Sequence, residues 1–182
     1  MEGGAARPDV DLRAFVHDIP GYPQPGIVFK DLTPLFLDPG ALSHAIDELA
    51  EYALSREVDV VVAAEARGFI LGGALAARIA AGFIPARKPG KLPRATNSAE
   101  YALEYGVDAL EVHHDALAGG TRVLVHDDLL ATGGTAGALC ELVRAAGAEI
   151  AGCAFLAELA FLAGRRRLGE VDVHSLMAFE TP

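Results

Sequence analysis

An α/β fold with a mostly parallel, twisted sheet flanked by helices is the class this sequence predicts. Two observations predict it: short apolar runs rich in β-branched residues, and stretches of helical periodicity between them. Val58 to Ala64 (VDVVVAA), Phe83 to Arg87, Val123 to His126 (VLVH) and Ile150 to Leu156 read as strands covered on both faces. Helices are expected from Leu42 to Ala53, introduced by Asp38, Pro39 and Gly40, from about Phe69 to Ala81, and from Thr135 to Ala146 with Gly147 as the stop. The glycines of the second helix allow close approach to a neighbouring strand. Tyr101 to His114 reads as extended or hairpin structure with Gly106 at its turn. Before all of these, Leu12 to Phe36 is punctuated by Pro20, Gly21, Pro23, Pro25, Gly26 and Pro34, which excludes a long helix and implies an irregular packed lobe.

A chain of 182 residues that is 52% hydrophobic can bury one sizeable core, so a single domain is expected over residues 12–182, behind a loose tail over 1–11. The longest apolar stretch, Ile70 to Ala81, is broken by Gly72, Gly73 and Arg78 and does not read as membrane-spanning. No secretory signal is legible at the start, so the cytoplasm is the expected compartment. The two cysteines, Cys140 and Cys153, lie in apolar segments and read as reduced core residues. A net charge of −10 disfavours nucleic acid as a partner. Against it stands a basic loop, Arg87, Lys88, Lys91 and Arg94 with Pro89, Gly90 and Pro93 between, suited to a small, strongly anionic guest. Arg165 to Arg167 reads as a solvated turn.

The richest stretch is VLVHDDLLATGGT, Val123 to Thr135. Ala131, Thr132, Gly133, Gly134 and Thr135 offer unobstructed backbone N–H groups at a helix N-terminus, which favours a phosphate. The lysine of a Walker A loop is missing, which argues against a nucleoside triphosphate gripped by its terminal phosphates. Asp127 and Asp128, expected at the end of the strand, only accept hydrogen bonds when ionised and therefore suit sugar hydroxyls. A ribose 5-phosphate fits both. An isolated acid pair would more often cap a helix or turn; the buried strand before it and TGGT after it give the context. His126 reads as a packed strand position. His113, His114 and Asp115 do not read as a metal cluster, because neighbours on a strand point to opposite faces.

VLVHDDLLATGGT resembles the phosphoribosyl pyrophosphate motif of the type I phosphoribosyltransferases, with wording similar to the adenine branch. PGIVFKDLTPL, EARGF, PARKPGKLP and YALEYG resemble the same family in the same order, spanning most of Leu12 to Leu176. The resemblance implies the type I phosphoribosyltransferase fold with a small N-terminal hood, largely from about residue 12 to 38. The activity it implies is transfer of ribosyl phosphate to adenine, giving AMP and pyrophosphate, with adenine and phosphoribosyl pyrophosphate as substrates, Mg²⁺ held through substrate and water with no direct protein ligand, and a homodimer. By the same resemblance Arg67, Arg87, Lys88 and Lys91 meet the pyrophosphate, with Arg67 and Arg87 counted as catalytic. Val28, Phe29 and Lys30 read adenine, Glu104 exchanges a proton with the purine ring, and Tyr105 helps close the loop. Glu65 stands beside Arg67, either as a cap or in the pyrophosphate loop. Two rivals are a phosphoribosyltransferase for xanthine or hypoxanthine, and a non-catalytic sensor of the donor or a nucleotide.

Overall fold

The computed structural model describes residues 10–102 and 107–182, which fall into two compact units, one ending at Ala45 and the other beginning at Ile46. In the first, β1 (His17–Pro20) and β2 (Val28–Asp31) pair antiparallel, and the short helix α1 (Thr33–Leu37) follows with a proline in its first turn. Proline is tolerated there because its missing N–H would have no helical partner. Lys30 is buried and paired with Asp18 at 2.9 Å. Asp38 then accepts a hydrogen bond from Ala41 N at 2.8 Å at the start of α2 (Pro39–Leu54).

The second unit is organised by β3 (Val60–Ala64), α3 (Gly68–Arg78), β4 (Gly82–Ala86), β5 (Thr96–Ala102), β6 (Val107–His113), β7 (Arg122–Leu130), α4 (Gly134–Ala145), β8 (Glu149–Leu159), α5 (Arg165–Leu168) and β9 (Val173–Phe179). Five strands form one parallel sheet in the order β4-β3-β7-β8-β9, and β5 and β6 form an antiparallel pair. Alternation along the strands sorts the two faces. Val62, Ala64, Val123, Val125, Cys153 and Phe155 share one cluster with Leu139 and Val143 of α4 and with Leu110 and Val112 of β6. The intervening positions meet α3: a Cβ on Gly72 would stand 2.8 Å from Ala63 Cβ and 3.4 Å from the ring of His126. Glycine lets α3 lie close to the sheet, as the sequence implies.

Several boundaries differ from expectation for identifiable reasons. β7 continues through Leu130, so Asp127 and Asp128 lie within the strand, where β8 pairs alongside as far as Leu130. The added hydrogen bonds outweigh the low strand preference of aspartate. α4 starts at Gly134, so Gly134 and Thr135 are its first turn. β9 was not foreseen, and Arg165 to Arg167 form the short helix α5, with Arg165 bonded to the buried Glu158. The triple arginine is therefore only partly a solvated surface. Cys140 and Cys153 are buried and unbridged, with their sulfurs 3.8 Å apart.

His126 is fully buried in the central strand, and its Nδ1 donates to the Ala154 carbonyl at 2.8 Å, leaving Nε2 without a partner. Burial holds its pKa down to about 4, against the partly opposing hydrogen bond to Ala154. Between the ordinary histidine value and about 4, the unfolded chain takes up a proton that the folded protein refuses. The stabilisation is thus complete at neutral pH and is lost with acid, by about 2 kcal/mol for this residue between roughly pH 7 and pH 5. Urea unfolding at those two pH values should show a smaller acid loss for His126→Leu than for the parent; equal losses would place the acid sensitivity elsewhere.

Candidate active site

At the carboxyl ends of β3 and β7, two junctions lie side by side. After β3 the chain passes through Glu65, Ala66 and Arg67 into α3, with a cis Glu65–Ala66 peptide. After β7 it passes through Ala131, Thr132 and Gly133 into α4, Gly133 taking the left-handed conformation at φ 79° that glycine adopts without penalty. The first junction meets β7 itself at Gly68, where a Cβ would approach Asp127 Oδ1 to 2.8 Å and Asp127 Cα to 3.3 Å. Only glycine lets the first turn of α3 rest against the acid.

Asp128 is buried and Asp127 partly exposed. Burial pushes both carboxyls above the ordinary range; for Asp127 the adjacent Asp128 charge adds to it, and for Asp128 Arg67 opposes it. Asp127 Oδ1 accepts from the Asp128 backbone N–H at 2.9 Å. Arg67 Nε stands 2.8 Å from Asp128 Oδ2, close enough for an ion pair but out of alignment, so that this buried oxygen accepts no hydrogen bond. An acid pair with one oxygen open to a donor suits a ligand that brings hydroxyl groups. Beside it, Asp127, Leu130, Thr132, Gly133 and Thr135 line a small open cavity of about 60 Å³ at the N-terminus of α4. Orphan backbone donors and the helix dipole favour an anion there.

The sequence-selected cations are not loose. Arg87 Nε donates to Glu65 Oε2 at 2.7 Å and its Nη1 to the Lys91 carbonyl at 3.3 Å, which ties the end of β4 to the β3 junction and the basic loop. Lys88 pairs with Asp108, which holds the Asp108 carboxyl below its usual range and raises the lysine. Tyr101 Oη donates to the same carboxylate at 3.2 Å. Gly90 N–H donates to Glu111 Oε2 at 3.2 Å, and Lys91 N–H to the Lys88 carbonyl at 3.2 Å. Arg94 pairs instead with Asp115, and His114 faces Asn97 at 2.9 Å.

The structure thus brings Arg67 to the acid pair and links Arg87 to Glu65. Val28, Phe29 and Lys30 lie on β2 of the first unit, where the Phe29 ring meets Tyr22 edge to face at 5.2 Å. Glu104 and Tyr105 lie outside the described residues. Sequence reasoning missed Gly68 and Asp108. Gly68 was visible only as the glycine of EARGF, and nothing local marks Asp108 as the partner of a lysine in the distant basic loop.

A parallel sheet with an acid pair, an anion-favouring helix start and arginines at its carboxyl edge has the features of a site for a phosphorylated, hydroxyl-bearing ligand. The model of the phosphoribosyl transferase domain matches residues 37–180, and the chain belongs to that family. The adenine phosphoribosyltransferase of Rubrobacter xylanophilus is 56% identical over 172 residues, covering 94% of this chain and 93% of its own, and that of Thermotoga maritima is 52% identical over 93% and 98%. Among solved structures, adenine phosphoribosyltransferase from Thermoanaerobacter pseudethanolicus superimposes with a TM-score of 0.89 at 48% identity, covering 92% of this chain and 98% of that one. The Saccharomyces cerevisiae adenine phosphoribosyltransferase, complexed with adenine and an iminoaltritol bisphosphate, gives 0.86 at 39% identity, covering 91% and 96%. Within the family, the chain belongs with the adenine phosphoribosyltransferases.

The acid pair also has a thermodynamic signature. Folding raises the Asp127 pKa, so its favourable contribution is present at acid pH and is lost as pH rises above the ordinary carboxylate value of 3.8. At pH 7.5 the ligand-free Asp127→Asn protein should melt higher than the parent by about a few degrees, because the like-charge neighbour of the buried Asp128 is removed. Differential scanning calorimetry checks this, and a lower melting point would mean that the ionised pair is stabilising.

Proposed function

We propose that this chain transfers ribosyl phosphate from phosphoribosyl pyrophosphate to adenine, forming the bond from C1 of the ribose to N9 of the purine as the bond to pyrophosphate breaks. The observation that carries the reading is the placement of Asp127 and Asp128 beside both a small cavity at the start of α4 and the arginine that opens α3. The Ala131 to Thr135 backbone takes the 5-phosphate, and the two carboxylates take the ribose hydroxyls. Arg67, Arg87, Lys88 and Lys91 meet the pyrophosphate, where cations aimed at the departing charge lower the barrier. Arg67, Arg87 and Lys88 rest on Asp128, Glu65 and Asp108, so each is held in place before the anion arrives.

The backbone around Val28 and Lys30 reads the edge of adenine, and the Phe29 ring stacks on it. Glu104 exchanges the proton displaced at the purine ring, and Tyr105 helps close the loop over the site. When bound, Mg²⁺ would supply positive charge to the pyrophosphate, held through the donor and water and not by a side chain of this chain, in keeping with its reluctance to shed its hydration. With the Arg67 guanidinium 2.8 Å from Asp128 Oδ2, the acid pair fits hydroxyl recognition better than a protein-built metal site. The working form is a homodimer in the cytoplasm; no helix among the described residues is long and apolar enough to cross a membrane.

Purified protein with phosphoribosyl pyrophosphate and Mg²⁺, offered adenine, hypoxanthine, guanine and xanthine separately, should form AMP from adenine and little product from the others. Preference for an oxopurine would discard the reading of Val28 to Lys30, and donor binding without turnover would make the chain a sensor. In the same assay Glu104→Gln should lower kcat by about 10²-fold or more while the KM for the donor changes little. Unchanged turnover would remove Glu104 from the chemistry.

A further inference from the structure

The phosphate loop has almost no side chains with which to hold its own shape. Its wall is the turn that follows β8. A Cβ on Gly164 would overlap the Ala131 carbonyl and stand 3.1 Å from Gly133 N, while a Cβ on Gly133 would overlap the Gly164 carbonyl and stand 3.1 Å from Arg167 Cβ. Gly164 has φ −57° and ψ −30°, which any residue adopts, so its glycine is required by the nearness of the loop and not by the backbone. The residue before it, Ala163, is a non-glycine held at φ 52°, so the turn has a specific and unusual course.

One side-chain pair spans this turn. Glu158, near the end of β8, is only 4% exposed, and Arg165, just after Gly164, donates to it from Nε at 2.9 and 2.8 Å and from Nη2 at 2.7 Å. Arg165 Nη1 also donates to the Val173 carbonyl at 2.8 Å, and Ser175 Oγ to Glu158 Oε2 at 3.2 Å. Both ends of the Ala160 to Gly164 turn are therefore fixed to β8 and β9. A bidentate guanidinium–carboxylate pair fixes orientation as well as distance, which a lysine or a neutral amide does less well.

We propose that Glu158 and Arg165 are positioning residues for the phosphate loop, acting through the Gly164 turn that forms its outer wall. They touch neither substrate nor reacting atoms. Their effect falls on the group that the loop holds, so they govern donor affinity and leave adenine affinity alone. This rests on reading Ala131 to Thr135 as the donor's 5-phosphate site.

The test measures ribose 5-phosphate binding by calorimetry, together with steady-state kinetics, for Glu158→Gln, Arg165→Gln, Arg165→Lys, Gly164→Ala and the loop control Thr132→Asp/Thr135→Asp, whose carboxylates repel a phosphate held by the loop backbone, with melting curves for each. Expected is a rise of about 10-fold in the donor KM and in the ribose 5-phosphate Kd for Glu158→Gln, Arg165→Gln and Gly164→Ala, with the adenine KM within about twofold and partial recovery in Arg165→Lys. If only the loop control weakens ribose 5-phosphate, the brace is overturned and the loop reading stands. If the loop control binds normally, the loop reading fails and takes the brace with it. Losses that fall equally on donor and adenine and follow the melting temperature also overturn it. Should Glu158→Gln not fold, Arg165→Lys and Gly164→Ala decide, since both keep the buried carboxylate paired.

Discussion

Two adjacent carboxylates in the last half of the central strand, one buried and one partly exposed, have to be held without being neutralised by a permanent partner, and much of the second unit follows from that requirement. Burial raises both groups, and the charge of Asp128 raises Asp127 further. A full hydrogen-bonded salt bridge would relieve them but would also occupy the oxygens that the site needs. Arg67 answers part of this by standing near Asp128 without aligned hydrogen bonding. It can do so only because Gly68, the next residue, allows the helix that carries Arg67 to start against Asp127, and because Gly72 lets the same helix lie on Ala63 and His126. The sheet order β4-β3-β7 then brings Glu65 and Arg87 to the same edge.

The cost of the arrangement is local and is carried by the hydrophobic body of the unit. Below the acid pair, β7 buries every residue from Val123 to His126, with Cys153, Ala154 and Phe155 of β8 alongside. A strand enclosed on both faces and hydrogen-bonded on both edges has little freedom to relax when two charges follow its apolar core. The same rigidity allows a loop of small residues to keep a usable shape, since loops with few side chains otherwise sample many conformations.

Sequence made the central part of this legible because its signals are local. Val123 to Thr135 announces a strand, an acid pair and a helix start in consecutive residues, and EARGF and RKPGK place cations at neighbouring junctions. Strand ends were harder: β7 and β8 run past the apolar cores that betrayed them, because pairing with each other sustains residues whose own preferences are weak. β9 was invisible because VHSLMAF is an edge strand with mixed polarity, and only its pairing with β8 defines it. Partnerships between distant residues, such as Lys88 with Asp108 and Arg165 with Glu158, leave no mark in a linear pattern, since any acid might have answered any base.

The pairing of cations with carboxylates also bears on why a donor carrying both a phosphorylated sugar and a pyrophosphate suits this site. An anion that draws Arg67 away from Asp128 would leave a buried carboxylate with less compensation, and a sugar that binds the carboxylate without an anion would leave Arg67 with a weaker partner. Either ligand fragment alone works against the existing ion pair. A molecule that brings hydroxyl donors to the acids and phosphate oxygens to the arginine replaces both partners at once, so each displaced charge finds a new counterpart within the same site. The two halves of such a ligand reinforce each other for electrostatic reasons, and the strength of that coupling is set by how closely Gly68 allows Arg67 and the acid pair to approach.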